Sequence, residues 1–394
     1  MLGALLAVIG CAGAAPPGPH EISTGRPAMG TLLELTLIGA DDAALARARD
    51  DAFAEVERIE AQLSTWRPES DVSRLNRAAG EGAIAIAPDV ADLLARCVDL
   101  ARDTRGSFDV TVGPLVALWQ EAAARGEPPD SVALAAARAR IGPDRLALRG
   151  DGAALAAGAA VDLGGIAKGY ALDRVRDRLG DAVDAALLSF GQSSTWAIGR
   201  PPGADGWRLL ARAPDGGFAG VITLRDRALS VSGSLGQWNE IAGRRYGHVI
   251  DPRSGQPLTR GREALVVTAD ATLAEALSKA LLVLGPEEGI ALIENWPDAE
   301  ALLLDEDGSA WRTRGWQDAT RFEPVAATGS SAPCKVPIHP GMAQHEITCP
   351  ICQADMPLGG DEKPGDEFFC SCCGAPGIIA KKDHGEELEV EEDF

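Results

Sequence analysis

Hydrophobic and polar positions along the chain fall into short runs of two different periods. Residues 31–37, T-L-L-E-L-T-L, alternate as a strand does. In residues 41–63 the apolar positions Leu45, Phe53, Val56, Ile59 and Leu63 recur at helical spacing, with Asp41 and Asp42 as caps. The same reading predicts helices over 90–104 and 131–141, and strands over 186–190, 207–211, 220–224, 228–232 and 264–268. Residues 272–284 form an amphipathic helix with Leu273, Leu277, Ala280, Leu281 and Leu284 on one side. Strands and helices interleave without a regular βαβ period, so the predicted fold class is α+β. There is no internal repeat.

Composition sharpens this picture in three places. A chain of 394 residues, 46% hydrophobic, can bury a sizeable core and has the length of two or three domains. A formal net charge of −21 excludes a nucleic-acid partner, which requires basic patches. It still permits a small anionic ligand held by local donors. No stretch reaches the roughly 18 apolar residues of a spanning helix. Residues 1–15 are nonetheless small and apolar, and Val8-Ile9-Gly10-Cys11 is similar to a bacterial lipobox. Residues 1–22 are therefore expected to be a lipoprotein signal and tether. Lipidation of Cys11 would then be the sole membrane attachment, on the cell membrane or its periplasmic side.

Composition changes again after Phe322, and residues 323–347 read as a linker. Six of the eight cysteines then fall within 334–373. Cys349-Pro-Ile-Cys352 and Cys370-Ser-Cys-Cys373 are two C-x-x-C pairs separated by the 17 residues 353–369. Four thiolates at this spacing suit tetrahedral zinc, which predicts a structural zinc ribbon over 348–380. Disulfides are the competing reading if the protein is exported. Residues 381–394 read as an acidic, solvated tail.

The chemistry lies between these ends. Residues 161–173, V-D-L-G-G-I-A-K-G-Y-A-L-D, run from an apolar stretch through paired glycines into a helix carrying Lys168. Paired glycines let backbone approach a ligand, and a helix start offers N–H groups to phosphate. Four further segments accompany it: Met29-Gly30-Thr31, L-S-T-W-R-P-E-S-D-V-S-R-L-N at 63–76, G-S-F-D-V-T-V-G-P-L-V-A-L-W at 106–119 and H-V-I-D-P-R-S-G-Q-P at 248–257. In this order and spacing, from about Ser23 to Trp316, the five motifs resemble the FAD:protein FMN transferase (ApbE) family.

That resemblance implies a flavin transferase domain over 23–322, with FAD as substrate. It implies FAD contacts from Met29, Trp66, Ser107, Phe108, Asp109, Asp162, Lys168 and Ile250. It also implies transfer of FMN to a threonine or serine of a flavin-accepting redox protein, with release of AMP. Read as residues, Lys168 is either a phosphate partner or an exposed helix lysine. His248 is either a ligand contact with a catalytic role or a structural histidine.

One segment departs from the family. Members hold Mg²⁺ between a backbone carbonyl at the Gly165 position and an A-D-A-L-S-T sequence, whereas this chain has A-E-A-L-S-K at 274–279. Gly165, Glu275 and Ser278 are thus the implied Mg²⁺ ligands, with Lys279 where threonine is expected. Glu275 and Lys279 are either a plain i, i+4 ion pair, a replacement for part of the metal's role, or a sign of lost catalysis. The last outcome would leave an FAD-binding scaffold that recruits a redox complex through its zinc ribbon.

Overall fold

The computed structural model describes residues 19–324 apart from 151 and 192, together with five short strand segments between 346 and 391. The chain opens with β1 (His20–Ala28), β2 (Thr31–Gly39), α1 (Asp42–Leu63), α2 (Asp71–Arg77), β3 (Ile84–Ala85) and α3 (Pro88–Asp103). It continues through α4 (Gly113–Arg125), α5 (Ser131–Arg138), β4 (Leu146–Arg149), β5 (Gly152–Leu155) and α6 (Ala167–Leu179). Then come β6 (Ala185–Phe190), β7 (Ser194–Ile198), β8 (Trp207–Arg212), β9 (Phe218–Leu224) and β10 (Arg227–Gly233). The sequence closes with β11 (Trp238–Ile241), β12 (Arg244–Gly247), β13 (Arg262–Thr268), α7 (Ala271–Ile293), β14 (Glu300–Asp305), β15 (Ala310–Arg312), α8 (Trp316–Thr320) and β16 (Glu323–Pro324).

The scaffold is an eight-stranded antiparallel sheet in the order β1-β2-β6-β7-β10-β13-β14-β15. Helices α1, α6 and α7 pack on one face and cover the largest apolar cluster. On the opposite face Trp207, Ile222 and Leu224 of the small β16-β9-β8 sheet pack with Trp316 of α8 against Ile38, Leu229, Leu265 and Val267. Helices and strands thus cover opposite faces of one antiparallel sheet, the α+β arrangement expected from the sequence.

Local chemistry explains the elements nearest the site. Asp41 accepts from the N–H groups of Ala43 and Ala44 at 2.7 and 3.2 Å, so α1 starts where the paired acidic residues predict. Its apolar stripe, Leu45, Ala52, Phe53, Val56, Ile59 and Leu63, is fully buried. Each of the larger side chains contributes about 1.5–3 kcal/mol through burial. Helix α7 begins at the Asp270 cap, which accepts from Leu273 N–H at 2.8 Å. It bends at Gly285, whose φ is 79°, and Pro286 restarts it toward Ile293.

Two helices meet without intervening side chains. A Cβ on Gly169 would lie 2.4 Å from the Ala271 carbonyl oxygen and 2.7 Å from Glu275 Cγ. Asp173 locks the same crossing from one turn further along. It accepts from the Ala271 and Thr272 N–H groups at 2.9 and 2.8 Å and from the Trp196 indole at 2.9 Å. Helix α6 therefore fixes the start of α7, which carries the A-E-A-L-S-K segment.

Among the described residues no helix is long and apolar enough to cross a membrane. Cys11, Cys349, Cys352, Cys370 and Cys373 lie outside the described residues, as do most of the linker and tail. Cys97 is fully buried in α3, and burial pushes its thiol up to about 12.

Candidate functional site

A cavity of about 750 Å³ opens where the ends of several elements converge on the helix-covered side of the sheet. The turn between β1 and β2 forms one wall. Met29 and Gly30 both have positive φ, 52° and 73°, as a two-residue hairpin turn requires. Glycine adopts this readily; for Met29 it is strained backbone on the cavity lining.

A second wall comes from 107–112 and 162–168. Ser107 donates to the Thr104 carbonyl at 2.7 Å, and Asp109 accepts from the Thr111 N–H and hydroxyl at 2.8 and 2.7 Å. Burial raises the Asp109 pKa, with those two bonds acting against it. Asp162 accepts from Gly164 N–H at 2.7 Å, which turns the chain so that Gly164 and Gly165 line the cavity as bare backbone. Lys168 follows in the first turn of α6. Its ammonium donates to Ser193 Oγ at 2.7 Å and is depressed in pKa by desolvation.

The third wall is built from β10, residues 236–237 and 248–252, and α7. His248 presents Nδ1 to the Gln237 carbonyl at 3.1 Å. A carbonyl only accepts, so Nδ1 carries the hydrogen and Nε2 keeps its lone pair. Desolvation lowers the His248 pKa, the Gln237 carbonyl opposes it, and the ammonium groups of Lys279 and Lys168 lower it further. The imidazole is therefore neutral near pH 7.

Lys279 stands at the centre of this wall with its ammonium against Glu275. Burial, and then the neighbouring Lys168, push its pKa well below the ordinary lysine range. Glu275 is buried and committed at both oxygens: Ser194 donates to Oε1, and Ser230 at 3.2 Å and Lys279 donate to Oε2. Ser278 is fully buried beneath. It donates to the Glu275 carbonyl at 2.9 Å and shares hydrogen bonds with Ser230 and Ser232 at 3.0 and 2.8 Å.

Most sequence-predicted residues thus meet in one place: Met29, Ser107, Phe108, Asp109, Asp162, Gly165, Lys168, His248, Ile250, Glu275 and Lys279 all line the cavity. Two do not. Trp66 is 88% exposed in the turn after α1, its N–H bonded to Ser64 Oγ at 3.2 Å, and it is absent from the lining. Ser278 is held below the surface by its serine neighbours rather than turned toward the cavity.

Sequence reasoning missed Glu263 and Arg212, which also line the cavity. Burial pushes Glu263 up to about 7 despite Arg212 nearby. It missed Ser230 and Ser232 as well, whose i, i+2 spacing on a strand with a buried face was the available signal.

The implied Mg²⁺ does not fit these residues. A hard divalent cation takes oxygen ligands with free lone pairs. Here Glu275 Oε2 already accepts from Ser230 and from the Lys279 ammonium, Ser278 is turned inward, and position 279 offers an ammonium with no lone pair to give. Among the described residues no three His, Cys, Asp or Glu side chains are grouped to hold a metal ion.

Residues 29–303, most of the chain, match the ApbE family. The chain belongs to the ApbE family. A Klebsiella pneumoniae protein named FAD:protein FMN transferase is 30% identical over 340 residues, covering 79% of this chain and 93% of that protein. One of the same name from Treponema pallidum is 30% identical and covers 77% of this chain and 89% of its own length. The apo crystal structure of Pseudomonas stutzeri flavinyl transferase ApbE superposes with a TM-score of 0.68 at 30% identity, over 78% of this chain and 98% of that one. The ApbE protein of Thermotoga maritima shares the fold, with a TM-score of 0.68 at 24% identity.

Proposed function

We propose that this protein transfers FMN from FAD to the side-chain hydroxyl of a threonine or serine in an acceptor protein. The observation that carries the reading is a cavity lined by bare glycine backbone, two ammonium groups and a neutral histidine, in a chain similar along most of its length to FAD:protein FMN transferases.

The step balances as a phosphoryl transfer. The acceptor hydroxyl oxygen forms a bond to the FMN phosphorus, and the bond from that phosphorus to the bridging oxygen of AMP breaks. His248 Nε2 takes the hydroxyl proton, because Nδ1–H is already committed to Gln237. AMP leaves with the bridging oxygen, its charge offset by Lys168 and Lys279. The acceptor ends up carrying FMN covalently, which suits a redox protein.

His248→Ala should slow AMP release from FAD in the presence of acceptor by about 10²–10⁴-fold while leaving FAD affinity unchanged. An unaltered rate would remove His248 from the proton transfer.

The termini extend the proposal on sequence grounds alone. The two C-x-x-C pairs support one structural zinc per chain, and a lipid on Cys11 would hold the enzyme at the membrane surface. Metal analysis of freshly reduced protein without zinc, or unchanged membrane fractionation of Cys11→Ala, would dismiss the respective idea.

A further inference from the structure

We propose that the Lys279 ammonium, seated on Glu275, takes the place of a divalent cation at the FAD diphosphate, so that FAD binding in this protein does not depend on divalent metal. The inference rests on the flavin reading above and deepens it at the same site.

Three observations carry it. First, Glu275, the carboxylate that would hold a cation, is already ion-paired with Lys279 and also accepts from Ser194 and Ser230. Second, Lys279 is directed at the ligand space. Its stem runs under bare backbone, with a Cβ on Gly165 only 3.9 Å from Lys279 Cε, and about a fifth of its side chain remains open toward the cavity. Third, it has donors to spare. An ammonium carries three N–H groups, and only Glu275 is an acceptor for Lys279 among the described residues.

Lys168 completes the arrangement from α6. Among the described residues its one acceptor is Ser193, and it lines the same cavity as Lys279, whose charge it repels. Glu275 offsets one of the two ammonium charges on this desolvated wall and leaves the other to be met by a ligand anion. A diphosphate supplies that anion, with oxygens on both phosphates to accept from both lysines. A bound diphosphate relieves the mutual repulsion of the two ammonium groups, which favours the complex without any metal. Glu275 is then a positioning residue that holds Lys279 forward, and Ser194 and Ser230 hold Glu275.

FAD titration by fluorescence, with no turnover required, tests the inference. Wild-type protein should bind FAD with an affinity that changes by less than about threefold between EDTA and saturating Mg²⁺. The pair Glu275→Asp with Lys279→Thr restores the A-D-A-L-S-T oxygens at the same corner and removes the ammonium. It should bind FAD at least about tenfold more weakly in EDTA and recover with Mg²⁺. Wild-type binding that requires Mg²⁺, or a double variant that binds equally well in EDTA, overturns the inference and leaves the flavin reading standing. Absence of FAD binding in both buffers overturns the flavin reading and this inference together.

Discussion

Lys168→Met should weaken FAD binding by about 10- to 100-fold, the worth of a charge-assisted hydrogen bond to phosphate, while making the apo protein more stable. The two effects share one cause. Desolvation depresses the Lys168 pKa, so the folded state holds its charge at a cost that the unfolded chain does not bear. For a lysine with a depressed folded pKa this cost is full below that pKa and vanishes as pH climbs toward the unfolded value of 10.5. Methionine keeps the length of the side chain and removes the charge. Thermal unfolding should therefore show a higher Tm for the variant at pH 7, a gap that closes near pH 10, alongside the weaker FAD titration. Equal FAD affinity with lower stability would mean that Lys168 packs α6 rather than serving the ligand.

Gly169→Ala should be severely damaging to the transferase domain. Its Cβ would meet backbone, the Ala271 carbonyl, at 2.4 Å, so no side-chain rotation relieves it. Helices α6 and α7 must separate, and the cost is about 3 kcal/mol, at the upper end of overpacking penalties. Because the same displacement moves Glu275, and Lys279 with it, FAD binding should fall as well. Calorimetry should show a Tm lower by several degrees together with a weaker FAD titration. A Tm within about 1 °C of wild type would show that this crossing is looser than the structure has it.

That glycine also illustrates how much of the molecule was legible in the sequence. The pair Gly164-Gly165 attracts notice, yet a Cβ on Gly165 meets only ordinary contacts and one on Gly164 meets only the Asp162 side chain, at 3.0 Å. Gly169 looks like one more residue of a helix, and its partner is about a hundred residues away. Periodicity located β2, α1, α3 and the first part of α7 because each has one buried face and an identifiable start. It missed β1, an edge strand with Gly25 and Pro27 whose positions are mostly exposed or half-buried. It ended α7 at residue 284 because Gly285-Pro286 reads as a stop, although the helix restarts beyond the kink.

The candidate site divides in the same way. Residues in ordered motifs, such as Asp109, Lys168 and His248, were placed in the cavity by resemblance. Trp66 carried the right chemistry but sits on a turn that faces solvent. Glu263 and Arg212 have no local pattern of their own; the main sheet brings Glu263 to the site and the small β16-β9-β8 sheet brings Arg212. The fate of the metal corner could be stated from sequence only as alternatives. Packing adds that serines of β7 and β10 donate to Glu275 beside Lys279, which the local sequence does not show.

The central claim, flavin transfer to protein, is tested most directly by following both products at once. The enzyme would be incubated with FAD and membranes carrying candidate redox proteins, with AMP measured by chromatography and covalent flavin by in-gel fluorescence after denaturation. Transfer predicts a fluorescent polypeptide that appears together with an equal amount of AMP, both lost in His248→Ala. FAD that binds the enzyme yet is recovered intact, with no flavin-labelled polypeptide, would contradict it.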